Sequence, residues 1–86
     1  MKIQPDFAGV WYNIGNTHVY AGQFSDAIEA YKQALKIKPD DLSAWYNLGI
    51  AYLESDQKDH AIEVYKTLKA LSPSKAETFF NELIQP

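Results

Sequence analysis

The stretch Trp-Tyr-Asn-Ile-Gly at residues 11–15 recurs as Trp-Tyr-Asn-Leu-Gly at residues 45–49, a shift of 34 positions. With this shift, 11 of 34 positions are identical between residues 8–41 and 42–75. Prolines at positions 5, 39 and 73 keep the same spacing. A fixed period of this length indicates a chain built from stacked supersecondary units, each of which needs a neighbour to cover its apolar face.

Apolar residues within each unit follow a helical spacing. In the first unit Ile14 stands three positions after Trp11, and in the second unit Leu48 stands three positions after Trp45. Together with the residues four and seven positions after each tryptophan, they share one helix face. Gly22 is suited to end a helix in the left-handed conformation. The pattern predicts helices at residues 8–21, 24–37, 42–55, 58–71 and 75–84, with Asp or Ser capping the helices that follow each proline.

These residues carry a resemblance to a known family. The order Trp, Gly, Ala, Tyr and Pro within each 34-residue unit resembles the tetratricopeptide repeat, a helix-turn-helix unit. The resemblance implies an all-α fold of helical hairpins stacked in a right-handed superhelix. His18, where the family usually has Tyr, and Asp56, where it often has Gly, depart from the pattern. We therefore expect some strain in the turn at Asp56.

The chain divides into four segments on this interpretation. Residues 1–7 resemble the end of a preceding repeat, residues 8–41 and 42–75 are the two repeats, and residues 76–86 form a C-terminal capping helix. Small residues at Gly15, Gly49, Ala27 and Ala61 are predicted to allow close helix approach, while larger rings fill the space between helices. These rings are Trp11, Trp45, Tyr31 and Tyr65. The apolar residues predicted to close the last repeat are Phe79, Phe80, Leu83 and Ile84.

Composition narrows the range of functions. The 86 residues carry a net charge of −3, with eight lysines and no arginine, which disfavours a nucleic-acid surface. No stretch approaches the roughly 20 apolar residues of a membrane span, and no signal peptide is evident, so we expect no membrane partner and a cytoplasmic location. The absence of cysteine excludes thiolate chemistry.

Catalytic and metal-binding patterns are weak. His18 and His60 occupy non-equivalent repeat positions without metal-ligand spacing, and the acids near Asp41 and Asp56 fall at predicted turns, where carboxylates cap helices. No glycine-rich phosphate loop is present. We expect neither an enzyme nor a cofactor.

The resemblance implies that the first helix of each unit lines a concave groove. The groove-facing residues would be Tyr12, Asn13, Asn16, Tyr20, Tyr46, Asn47, Ile50, Glu54, Phe80 and Asn81. Three of them, Asn13, Asn47 and Asn81, recur at 34-residue spacing and would form a row. An Asn side chain offers a donor and an acceptor that complement an extended peptide backbone. The predicted function is therefore a protein-interaction module that binds a peptide or helix of a partner.

Other interpretations stay open. The asparagines could bond neighbouring helices, and the chain could be a structural spacer within a longer array. Weak self-association through the array ends is a further alternative, because no helix precedes residues 8–21 to cover their outer face. A clamp for an acidic C-terminus, known in some members of the family, is disfavoured: Asn16 and Asn47 match it, but its basic positions hold Tyr12, Glu77 and Asn81.

Overall fold

The computed structural model describes residues 6–85, which contain five α-helices and no strand. The helices are α1 (Phe7–Tyr20), α2 (Phe24–Ile37), α3 (Leu42–Glu54), α4 (Lys58–Leu71) and α5 (Pro73–Leu83). The predicted all-α fold is confirmed, and α1 to α4 begin and end within one residue of their predicted bounds. Residues 1–5 of the predicted lead-in and Pro86 of the predicted cap lie outside the described residues.

Side-chain caps explain where three of the helices begin. The Asp6 carboxylate accepts a hydrogen bond from the Gly9 backbone N–H at 2.9 Å, and the Asp41 carboxylate accepts from the N–H groups of Ser43 and Ala44. Helix α5 begins two residues before the predicted start at residue 75. Ser72 caps it by accepting from the Lys75 N–H, and the proline after Ser72 occupies the first helical position, where no N–H is needed.

The turns inside the two hairpins use the same backbone conformation. Gly22 has a φ of 74°, as predicted for a helix-ending glycine, and Asp56 has a φ of 61° at the equivalent position of the second repeat. A side chain at this φ brings its Cβ close to the backbone, which costs about 1–2 kcal/mol. The strain expected at Asp56 is therefore present in the structure.

The helices form two layers. Helices α1, α3 and α5 lie side by side in one layer, and each of α2 and α4 packs between two of them in the other. Cα atoms of neighbouring odd-numbered helices approach within 8 Å, whereas no Cα of α2 comes that close to α4. Because one layer is tight and the other is spread, the structure curves, with its concave side on the odd-numbered helices.

Glycines in α1 and α3 make room for large buried rings. A Cβ built on Gly15 would lie 2.5 Å from the ring of Tyr31, and one on Gly49 would lie 2.5 Å from the ring of Phe79. Ala27 and Ala61 are completely buried where the helices of each hairpin meet. The predicted close helix contacts are thus present, although Gly49 receives Phe79 of α5 rather than the repeat-equivalent Tyr65.

The prediction that Trp11 fills the space between helices is wrong. Trp11 and the neighbouring Ile14 are 36% and 37% exposed, and Phe7 and Val10 on the same face are more exposed still. The four residues stand at i, i+3, i+4 and i+7 on α1. No described helix lies on this side of α1, so the face is open.

The C-terminal cap also differs from the prediction in two residues. Phe79 and Leu83 are buried against the second repeat, as expected, but Phe80 is 40% exposed and Ile84 is 58% exposed. The reason is helical geometry: Phe79 and Leu83 are separated by four positions and share one face, which leaves the next positions turned outward. No described helix is both long enough and apolar enough to cross a membrane.

Candidate functional site

A pocket of about 310 Å³ opens between α1 and α3. Its walls combine aromatic, amide and aliphatic groups and carry no charged side chain; we call this pocket the inner groove. The residues that line it are Tyr12, Asn16, Val19, Tyr20, Tyr31, Asn47 and Ile50. Five of them were predicted as groove residues from the sequence: Tyr12, Asn16, Tyr20, Asn47 and Ile50.

Side-chain hydrogen bonds connect the polar groups of the inner groove. The Asn47 Nδ2 group donates to the Tyr12 hydroxyl at 2.9 Å and to Asn16 Oδ1 at 3.2 Å. The Tyr31 hydroxyl donates to the same Asn16 oxygen at 2.5 Å. Residues from α1, α2 and α3 are therefore joined in one network, which fixes the orientation of both amides across the repeat boundary.

The network leaves part of each amide without a protein partner. Among the described residues, Asn47 Oδ1 and the Asn16 Nδ2 group make no hydrogen bond to another side chain or to the backbone. One is an acceptor and the other a donor of two hydrogens. Tyr12 accepts from Asn47, so its own hydroxyl hydrogen is available as a second donor. The groove thus presents both donors and an acceptor within a few ångströms of one another.

Tyr31 anchors the base of this network. Its side chain is almost completely buried, and its ring lies 5.9 Å from that of Tyr12 at an angle of 47°. Burial, together with the nearby hydroxyl of Tyr12, raises the pKa of Tyr31 to about 12. The raised pKa keeps the hydroxyl protonated to a higher pH than in an ordinary tyrosine, so it stays a hydrogen-bond donor to Asn16.

Tyr20 and Ile50 form the apolar edge of the inner groove. Tyr20 is 91% exposed at the end of α1, and Ile50 is half-buried on α3. An exposed aromatic ring beside a polar network offers flat contact area at a small cost in side-chain entropy.

Tyr46 lies outside the inner groove, on the side of α3 that meets α5. Its ring packs edge-on against Phe79 at 5.7 Å, and Lys75 Nζ lies 5.0 Å from its centre. Burial and the nearby Glu82 carboxylate raise its pKa. Tyr46 therefore supports the contact between the second repeat and the cap.

The remaining predicted residues do not join the inner groove. Asn13 and Asn81 are exposed, and Phe80 packs on Tyr65 with 5.4 Å between ring centres. Glu54 is the last residue of α3 and lines a different depression, together with Glu82. The three asparagines at 34-residue spacing therefore occupy unlike environments, with only Asn47 turned into the polar network.

Two groove residues were absent from the predicted set. Val19 lies three positions after Asn16 and seven after Tyr12, so helical spacing could have placed it on the same face of α1. Tyr31 was predicted as a packing residue, and its hydroxyl reaches the groove from behind because Gly15 lets the ring approach α1.

The two histidines make local contacts with neighbouring side chains. No group of three His, Asp or Glu side chains in residues 6–85 is arranged to hold a metal ion. The His18 ring instead forms a hydrogen bond of 2.7 Å with Gln23 next to the first turn, and His60 stacks on Tyr52. Both histidines therefore have local structural contacts.

Comparison with known families agrees with the repeat architecture. A family model described as "TPR repeat" matches residues 15–56, and a second one, described as "Tetratricopeptide repeat", matches residues 43–75. Together they span residues 15–75, which include the turns inside both hairpins and all of α3. No curated protein shows significant similarity to the chain.

Proposed function

The chain belongs to the tetratricopeptide-repeat family, and we propose that its inner groove binds an extended peptide segment of a partner protein. Repeats of this family generally mediate protein–protein interactions and are generally not enzymes. The observation that carries the proposal is the polar network of Asn16, Asn47 and Tyr12 beside the exposed ring of Tyr20.

The groove chemistry favours recognition of main chain over recognition of charge. An extended peptide exposes alternating N–H and C=O groups, which the unpaired amide atoms of Asn16 and Asn47 can complement. Because the network already holds these side chains, binding does not have to order them, and the entropy cost falls. The lack of charged lining residues argues against a carboxylate clamp and predicts binding that depends little on salt.

A selection from a random displayed peptide library tests the proposal directly. The 86-residue chain is the bait, and affinities of the recovered peptides are then measured for Asn47→Ala and Asn13→Ala. Asn47→Ala should weaken binding by roughly 2- to 13-fold, the effect of losing about 0.5–1.5 kcal/mol of hydrogen bonding. Asn13→Ala is the matched control, because Asn13 is the repeat equivalent of Asn47 but is exposed outside the groove.

Two results would contradict the proposal. Equal losses in the two variants would mean that the groove network is not the binding site. A selection that recovers no peptide would favour the spacer interpretation, in which neighbouring repeats are the only partners. Thermal melts of each variant separate lost binding from lost folding.

The open face of α1 supports a second candidate function, association with a second copy of the chain. Its exposed apolar residues, Phe7, Val10, Trp11 and Ile14, form one helical stripe, and the whole of α1 carries no Asp, Glu, Lys or Arg. Two such stripes can pack against each other about a two-fold axis without like charges meeting. An uncharged apolar stripe on a surface helix is typical of an interface.

Light scattering after size-exclusion chromatography tests this second candidate. The chain should shift from monomer to dimer as its concentration rises, and Val10→Lys should abolish the shift. Ile37→Lys is the control, since Ile37 is about equally exposed but lies on α2. A monomer at every concentration, or equal effects of both lysine substitutions, would exclude α1 as a self-association surface.

A further inference from the structure

A second groove lies on the opposite side of the molecule from the inner groove. It measures about 500 Å³ and separates α2 from α4, whose Cα atoms do not approach within 8 Å of each other. Its floor is formed by three residues of α3, Trp45, Leu48 and Tyr52. We call it the outer groove.

The floor of the outer groove is both apolar and fixed. Trp45 Nε1 donates a hydrogen bond of 2.7 Å to the Pro39 carbonyl, which holds the indole in place. The Tyr52 ring is stacked by His60, with 5.0 Å between ring centres and 26° between ring planes. An apolar side chain that entered would therefore meet pre-oriented rings, an arrangement typical of binding pockets.

The walls of the outer groove differ in charge. Lys32 and Lys36 stand one helical turn apart on the α2 wall. Lys32 Nζ lies 3.9 Å from Glu29, but both side chains are largely solvated, so this pair contributes little. No ion pair of Lys36 is present among the described residues. The α2 wall is thus a positive edge beside an apolar floor.

The α4 wall does not cancel this charge. Its acidic residue is Glu63, which sets one carboxylate against the two lysines of the α2 wall. The exposed pair of Glu63 with Lys66, at 3.4 Å, contributes as little as the Lys32–Glu29 pair. Its other polar lining residues are His60 and Thr67. An acidic ligand would consequently be attracted to the α2 side and would find its apolar contact in the middle.

We propose that the outer groove binds a short partner segment in which a bulky apolar side chain is flanked by carboxylates. The apolar group would lie on the accessible part of the Trp45 ring, above the nearly buried Leu48 and Tyr52, and the carboxylates would face Lys32 and Lys36. The negative charge of such a segment complements the positive charge of the α2 wall. This site is separate from the inner groove, which has no charged lining residue.

A matched pair of capped tripeptides tests this chemistry. The probes are acetyl-Asp-Phe-Asp-amide and acetyl-Asn-Phe-Asn-amide, which differ in charge but hardly in shape. In ¹⁵N NMR titrations of the 86-residue chain, the acidic probe should shift the Trp45 indole N–H and the amide signals of Tyr52 and His60. It should bind about fivefold more tightly than the neutral probe at low salt, since each exposed ion pair contributes up to about 1 kcal/mol.

The double variant Lys32→Gln/Lys36→Gln should remove the preference for the acidic probe while keeping the weak binding of both. Lys69→Gln, on α4 and outside the groove, is the control and should keep the preference. The proposal is overturned if the two probes bind equally well to the original chain, if no shifts appear, or if the shifts cluster at Tyr12, Asn16 and Asn47 instead.

Discussion

Helices α1 and α3 carry the same repeat segment but lie in different surroundings. Leu48 of α3 is only 3% exposed, because α2 packs on one side of α3 and α4 on the other. The equivalent Ile14 of α1 is 37% exposed, because among the described residues helices pack on only one side of α1. The residue types at the two positions are almost interchangeable. Their burial is decided by the neighbouring helices.

This difference shows how a repeat protein distributes its stability. Apolar residues at an inner position are covered by helices from two repeats, whereas those at an open end keep the same chemistry and lose the cover. Within the described residues the stripe of α1 stays partly exposed, while its counterpart on α3 holds the two repeats together. Substitutions at equivalent positions of α1 and α3 can measure how much each apolar residue contributes to the free energy of unfolding.

The largest expected effect comes from Leu48→Ala compared with Ile14→Ala. Leu48→Ala should lower the free energy of unfolding by about 2–5 kcal/mol, because it leaves a cavity in the core. Ile14→Ala should cost roughly 1 kcal/mol at low protein concentration, because the side chain is already partly solvated. Urea denaturation measures both values. Equal losses would show that a second molecule covers α1 under those conditions.

The sequence predicted the helices well because period, caps and apolar spacing agree. The exception is the start of α5, where alignment with Pro39 suggested a loop, yet Ser72 caps a helix that begins at the next residue. Repeat similarity also predicted that Trp11, like Trp45, would fill the space between helices. That similarity describes residue types and contains no information about which end of a stack is covered.

The inner groove was only partly predictable. The family resemblance included Tyr12, Asn16 and Asn47 in a set of ten groove-facing residues but did not single them out as neighbours across the repeat boundary. Their hydrogen bonds depend on side-chain rotamers and on the offset between α1 and α3, neither of which a sequence pattern specifies. The regular asparagine spacing was a weaker guide, since among the described residues no helix lies in front of α1 to supply a partner for Asn13.

The second effect concerns the pH dependence of stability that the buried Tyr31 introduces into the first repeat. Tyr31 is nearly fully buried, whereas the equivalent Tyr65 is half-buried. The pKa of Tyr31 rises from 10 to about 12 in the folded state, so above pH 10 the unfolded chain loses this proton first. The corresponding stability is complete below pH 10 and is lost as pH approaches 12.

Urea denaturation at pH 9 and pH 11.5 measures this loss. Tyr31 should account for about 2 kcal/mol of it, given 1.36 kcal/mol per pH unit over most of that interval. Between pH 9 and pH 11.5, the free energy of unfolding of Tyr31→Phe should therefore fall by about 2 kcal/mol less than that of the original chain. An identical decline in Tyr31→Phe would mean that the Tyr31 hydroxyl of the original chain is not shielded from water.

A third comparison concerns the glycines that admit the buried rings. Gly15→Ala would press a methyl group against Tyr31, and Gly49→Ala would press one against Phe79, each at 2.5 Å before relaxation. Overpacking costs about 1–3 kcal/mol, from which about 1 kcal/mol of gained helix propensity must be subtracted. Both variants should thus be destabilised, by up to about 2 kcal/mol. If chemical denaturation finds Gly15→Ala or Gly49→Ala stabilised, the ring of Tyr31 or Phe79, respectively, does not lie against that glycine.

The smallest effect should distinguish the two hairpin turns, which share one backbone shape but differ in residue. Asp56→Gly removes the Cβ that disfavours a φ of 61°, so it should stabilise the chain by up to about 1 kcal/mol once the greater flexibility of glycine in the unfolded state is included. Gly22→Ala places a Cβ at a φ of 74° and should destabilise by about 1 kcal/mol, although no atom lies within 4 Å to clash with it. Thermal unfolding of the two variants should therefore give shifts of opposite sign. Shifts of the same sign would indicate that a side-chain contact of Asp56, rather than backbone conformation, determines the stability of the second turn.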